Sequence, residues 1–166
     1  LKTDKAIYDK LNGKITTYQN SKLILKEGYK LSGKNIQYNT NEKILESNEN
    51  SIFTDDEGNI IETNMFQYNI NDQLFSSLGK IKIIDINKNK YFFKEIHIDT
   101  KIKEMIGSDV SVILDQENFG VSKESDPRFS ANDIFVSKNR TSMSKGVFTV
   151  CKRRSGKCPI WSLKAK

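Results

Sequence analysis

A phrase returns at a fixed interval along this chain: Ile36-Gln37-Tyr38-Asn39, Phe66-Gln67-Tyr68-Asn69 and Ile96-His97-Ile98-Asp99, with a fainter first copy at Ala6-Ile7-Tyr8-Asp9. The Tyr-type position falls at 8, 38, 68 and 98, a period of 30 residues. A period in this range marks units that stack because none buries its apolar side alone. The segments between turns are too short and too strictly alternating for helices. Short apolar-polar runs are broken at Lys26-Glu27-Gly28, 39–42, 55–59, 69–72, 87–89 and 99–101, so each repeat holds two strands and two turns. Gly28 and Gly58 also stand 30 apart, where a hairpin needs positive φ. The third copy has Lys88 there between Asn87 and Asn89, which predicts a turn shifted by one residue onto an asparagine.

Aligning the copies separates two faces, because side chains two apart on a strand share a side. The apolar columns are Ala6, Ile36, Phe66, Ile96; then Tyr8, Tyr38, Tyr68, Ile98; then Ile15, Leu45, Phe75, Met105; then Leu23, Phe53, Ile83, Ile113. Between the first two run Ile7, Gln37, Gln67 and His97, mostly polar, and a small column holds Thr17, Ser47, Ser77 and Gly107. The expectation is an all-β, stacked and twisted architecture with its apolar faces inward. The period breaks once: Ile134 and Val136 match Ile96 and Ile98 but lie 38 further on, which places a long loop over 115–128.

Apolar residues, glycine not counted, make up 36% of the chain, below the roughly 45–50% of globular domains (a count that includes glycine), which argues for a thin sheet or open groove. No run approaches the roughly 18–20 apolar residues of a membrane helix. Starting at Leu1 and stopping at Lys166, the chain is expected to be a segment of a longer protein, with room for a removed signal peptide before it. The net charge of +6 is unevenly placed. Asp133 is the last acid; residues 1–133 carry 18 basic and 21 acidic groups, and nine cations follow, Lys152, Arg153 and Arg154 among them. Such an end suits an anionic partner. Only Phe148 and Trp161 interleave with those cations, too few aromatics for a base-stacking surface, so nucleic acid is not expected.

No enzyme motif competes with the repeat. His97, the single histidine, sits in the Gln37 and Gln67 column and is expected on the solvated face. The stretch from Asp55 to Asn59 has the look of a calcium loop, but it lacks the distal bidentate Glu and coincides with a repeat turn. Two Cys and one His cannot supply the four ligands of a zinc site. Asn139-Arg140-Thr141 fits a glycosylation pattern short enough to arise by chance. Neither a cofactor nor a catalytic residue is expected. Cys151 and Cys158 bracket Ser155-Gly156; they can bond to each other, bond to cysteines outside the segment, or stay as two thiols.

The tail carries a resemblance. Phe148-Thr149-Val150-Cys151, followed by Cys158-Pro159-Ile160-Trp161-Ser162-Leu163-Lys164-Ala165, resembles the junction in the outer-membrane lipopolysaccharide-assembly family LptD, where an aromatic-Thr-x-Cys is followed by Pro-x-Trp and an alternating strand. The period of 30 is similar to the OstA-type repeat of that family and of the bridge proteins of the same pathway. The likeness covers about residue 6 to residue 166. It implies a V-shaped, twisted β-jellyroll over 1–150 and a cysteine-containing junction over 151–166 leading to an outer-membrane barrel. It implies a place on the periplasmic side of the outer membrane and non-covalent passage of lipopolysaccharide. The acyl chains would slide along Ile36, Tyr38, Leu45, Phe53, Phe66 and Tyr68, then Phe75, Ile83, Ile96, Ile98, Met105 and Ile113, with head groups near Lys152, Arg153 and Arg154. The implied partners are an LptA-like bridge protein added at the N-terminal strands from about Tyr8 to Leu25, the protein's own barrel, and an LptE-like lipoprotein. In that family the Cys after the aromatic-Thr pair bonds to one near the barrel's end, and Cys151 matches it by position; Cys158 has no counterpart. The alternatives are a soluble bridge protein, which needs no such junction, and a structural β-solenoid segment with a filled core.

Overall fold

A computed structural model describes residues 2–25, 28–122 and 124–152, together with the backbone of 163–164. The chain opens with two long paired strands, β1 (Lys2–Asp9) and β2 (Lys14–Ile24). Three broken strands follow: β3 (Lys30–Lys34) with β4 (Gln37–Asn39), β5 (Ile44–Ser47) with β6 (Ser51–Thr54), and β7 (Ile60–Thr63) with β8 (Phe66–Asn69). Long strands resume with β9 (Leu74–Ile84), β10 (Lys90–Asp99) and β11 (Glu104–Ile113). A one-turn helix α1 (Gln116–Phe119) precedes β12 (Arg128–Ser137), β13 (Arg140–Ser144), β14 (Val147–Thr149) and β15 (Leu163–Lys164). Every pairing is antiparallel, as the alternation predicts.

The sheet is a meander folded along a line. Residues 20–24, 30–34, 51–54, 60–63 and 81–84 pair in one layer. Residues 14–16, 37–39, 44–47, 66–69 and 74–76 pair in the other. β2 and β9 run through both layers, so the hydrogen-bonded circuit β2–β3–β6–β7–β9–β8–β5–β4 returns to β2 and the sheet closes into a barrel. The fold line recurs at half the repeat period. Along it Gln19, Asn35, Gly79, Asp109 and Lys145 take positive φ, from 48° to 106°, which bends a strand or ends it. β12 repeats the branching of β2, with β13 on its C-terminal half and β14 on its N-terminal half.

Where three strands break, backbone groups lose their ladder partners and need new ones. The small column supplies them. Thr17 Oγ1 donates to the Ile36 carbonyl and accepts from the Ile36 N–H, both at 3.1 Å. Ser47 Oγ donates to the Lys34 carbonyl at 2.9 Å, and Ser77 Oγ and Thr63 Oγ1 each reach the Met65 carbonyl at 2.7 Å. Gly107 completes the column for a different reason: a Cβ there would lie 2.5 Å from Phe93 Cδ1.

The turns stack as the strands do. Asp9, Asn39, Asn69 and Asp99 each accept, at Oδ1, the backbone N–H groups two and three residues on, at 2.9–3.2 Å. Each such turn then binds the one before it: Thr40 N to Gly13 O, Ile70 N to Lys43 O and Thr100 N to Gln73 O, at 2.8–2.9 Å. At the other end Asp55 and Asp85 cap their own turns through Asn59 and Asn89. Asn59 Oδ1 accepts from Ile86 N and Asn89 Oδ1 from Asp115 N, tying successive turns together.

Two expectations change. Gly28 and Gly58 do have positive φ, at 83° and 98°, but in the third copy Lys88 itself does, at 64°, and the turn keeps its register. The Asp85–Asn89 hydrogen bonds hold that frame and leave no freedom to shift the left-handed residue onto an asparagine. The loop over 115–128 is partly helical. Asp115 caps α1 by accepting from Asn118 N, and Gly120 ends it in the left-handed conformation. Because a left-handed non-glycine residue costs about 1–2 kcal/mol, Lys88→Gly is expected to raise stability by about 0.5–1 kcal/mol after the entropy a glycine adds to the unfolded chain. The urea midpoint measures this, and a lower midpoint for the variant rejects the account of strain at Lys88.

Candidate functional site

The two layers face each other across one apolar interior. Phe53 from the first layer meets Phe66 and Phe75 from the second edge-on, with ring centroids 4.8 and 4.6 Å away. Of the twelve columnar residues expected to line a track, Ile36, Leu45, Phe53, Phe66, Tyr68, Phe75, Ile83 and Ile96 are buried in this cluster. Tyr38, Ile98 and Met105 pack half-buried against it. Ile113 is half-buried and one position out of the column, because Tyr91 in β10 pairs with Val112. The low apolar content predicts a thin sheet; instead the apolar residues are concentrated on one side and fill the middle.

The ends differ from the middle. Burial along the Tyr column rises from Tyr8, 53% exposed, through half-buried Tyr38 to Tyr68, 3% exposed. Tyr8 is open because β1 is the last strand on that side among the described residues. Just inside lies a cavity of about 370 Å³ between the layers. Ile15, Tyr38, Leu45 and Ile70 wall it from one layer, and Leu23 and Leu25 from the other. Its volume is at the lower end of the roughly 300–1,000 Å³ of small-molecule sites. Its walls are almost wholly apolar, which holds hydrocarbon without directional bonds.

Several other singled-out residues have structural partners. Asp55 is committed to its turn, while Asp56 and Glu57 pair with Lys103 Nζ at 3.0 and 2.8 Å. His97 lies on the solvated face. Its Nδ1 is 2.9 Å from Ser76 Oγ and its Nε2 2.9 Å from Glu95 Oε1. This resembles a nucleophile–base–carboxylate relay in connectivity, and sequence reasoning missed it because Ser76 is 21 residues away. The strand pairing of Ser76 with both Gln67 and His97 engages the local backbone on both sides of β9.

At the C-terminal side Arg128 Nη1 donates to the Asp126 and Cys151 carbonyls at 2.8 and 2.6 Å, and pairs with the Asp126 carboxylate at 3.2 Å. Cys151 N donates to Thr149 Oγ1. Lys152 pairs with Glu124 at 2.8 Å. Arg153, Arg154, Cys158 and Trp161 lie outside the described residues. β15 pairs with β14, so strand pairing continues beyond residue 150. No protein-family model and no curated protein matches this chain.

Two phenols couple the fold to pH. Burial, with the Asp85 carboxylate 3.0 Å from its hydroxyl, pushes Tyr91 up to about 12. Burial, with Asp55 and Asp56 nearby, does the same for Tyr29. An unfolded tyrosine ionises near 10, so above that pH the unfolded chain releases protons that the folded chain retains. Stability is therefore expected to be intact below about pH 10 and to fall towards pH 12. The Tyr29→Phe, Tyr91→Phe double variant should flatten that fall in urea titrations, and an unchanged slope excludes these phenols as its cause. Separately, Phe75→Ala is expected to cost about 3–5 kcal/mol if the aromatic cluster is permanent core. A loss below about 1 kcal/mol would mean the interior gives way readily around that ring.

Proposed function

We propose that this chain is a lipid-carrying β-domain of the cell envelope, on the periplasmic side of the outer membrane, that passes lipopolysaccharide acyl chains between its two layers. The observation that carries the reading is the uncovered N-terminal end of the apolar interior: exposed Tyr8, half-buried Tyr38 and the apolar cavity between Leu23 and Leu45. A chain entering there meets a surface continuous with Ile36, Phe66 and Ile96. Burial stabilises it by about 25 cal/mol for each Å² of apolar surface covered. Passage beyond the cavity requires the layers to part around Phe53, Phe66 and Phe75, whose packing contains no bond that must be broken.

The outer edge of β1, unpaired among the described residues, supports docking of a bridge protein by strand addition beside the cavity mouth. In this reading the cationic end, from Lys152 onward, meets phosphorylated head groups near a barrel and a lipoprotein partner. The filled centre favours a second reading, a structural β-segment whose interior never admits lipid. Photocrosslinking separates the two. A benzophenone amino acid at position 38 is expected to capture radiolabelled lipopolysaccharide, whereas the same group at outward-facing position 67 is not. No adduct at 38, with the folded state verified by circular dichroism, favours the structural segment.

A further inference from the structure

The outer side of the first layer holds a groove of about 930 Å³ beside the fold line. The repeat builds it in two tiers. Strand register sets Lys22, Ser32, Ile52, Glu62, Lys82 and Phe92 in one row across six strands. Next to the fold line stand Asn20, Lys34, Asn50, Asn64, Lys80 and Lys94. Residues 30 apart on this face, such as 22, 52 and 82, are two strands apart, which is about 9–10 Å.

Five lysines and one acid, Glu62, line the groove. Glu62 is engaged by Lys82 at 3.0 Å, and Lys94 by Asp109 at 2.9 Å. Lys22, Lys34 and Lys80 form no ion pair with any described residue. Beside these ammonium groups lie three asparagine amides able to donate and accept, with Asn64 Oδ1 held towards β9 by Lys80 N at 3.2 Å. Ile52 and Phe92, 44% and 36% exposed, provide an apolar floor.

We propose that this groove binds a linear anionic oligosaccharide lying across the strands. Lysines spread across the strands suit acidic groups spaced along a chain, amides suit ring hydroxyls, and the Phe92 and Ile52 surfaces suit the apolar face of a sugar ring. One aromatic ring is too little for the successive base stacking of a single-stranded nucleic acid. The site is on the opposite side of the first layer from the acyl cavity and stands independently of it.

Hexagalacturonate, a carboxylated six-residue oligosaccharide, is the probe, titrated into the full chain by calorimetry and by NMR of Phe92 and Ile52. Saturable binding with shifts at both residues is expected, and none with neutral maltohexaose. The triple variant Lys22→Gln, Lys34→Gln, Lys80→Gln should weaken binding about tenfold or more. A control triple, Lys10→Gln, Lys101→Gln, Lys138→Gln, removes the same charge from exposed sites outside the groove and should leave affinity within about twofold. Equal weakening by both triples assigns the effect to bulk charge and overturns the proposal. So does absence of binding, or a ten-residue oligothymidylate that displaces the saccharide and binds the groove more tightly.

Discussion

Everything in this molecule depends on how a few hydroxyl groups deal with the line along which the sheet is folded. A β-sheet bent sharply enough to face itself cannot keep all its ladders, and each lost ladder bond strands a backbone donor or acceptor. Thr17, Ser47, Thr63 and Ser77 take those groups over from side chains short enough to lie flat against the bend. Leaving such a group unsatisfied in the interior costs about 1–3 kcal/mol, a large part of the stability of a domain this size. With the bend secured, Phe53 reaches Phe66 and Phe75 across the interior. The core is thus a consequence of the fold line as much as a cause of it.

The turns apply the same economy at both rims. Each Asx side chain closes its own turn, and successive turns are tied by backbone N–H groups donating to a carbonyl at one rim and to the Asn59 and Asn89 side chains at the other. The repeat therefore sets strand spacing from outside the sheet as well as within it. Left-handed residues at Lys43, Gln73 and Lys103 fall in the Gly13 column although none is glycine, so the frame is strong enough to impose a conformation their side chains disfavour.

Much of this was legible in the residues. The period of 30, the two faces, the turn positions and the positive φ at Gly28 and Gly58 could all be read because each is a local rule repeated. The small column was visible too, but its role was not: hydroxyls matter there only because distant strands break opposite them. Lys88 misled because residue preference was weighed without the Asp85–Asn89 hydrogen bonds that oppose it. Ile113 fell out of its column because alignment by period cannot see which residue a neighbouring strand brings alongside. The apolar mouth at Tyr8 reflects an end effect, which a repeat by its nature conceals. The lysine groove lay in the same alignment, in columns 20, 50, 80 and 34, 64, 94, as polar positions whose common side appeared only with the register.

Apart from the breaks at the fold line, each stretch of strand pairs with the stretches that precede and follow it along the chain. Short sequence separations keep the entropy of each closure small, so folding can advance by laying one hairpin on the last. The reverse holds under force only at the start. Tension on the N-terminal end meets β1 first, and β1 is held by one ladder and little apolar cover. Peeling stops at the next strand, because β2 is held by β3 and β4 as well and closes the barrel, so the resistance rises there.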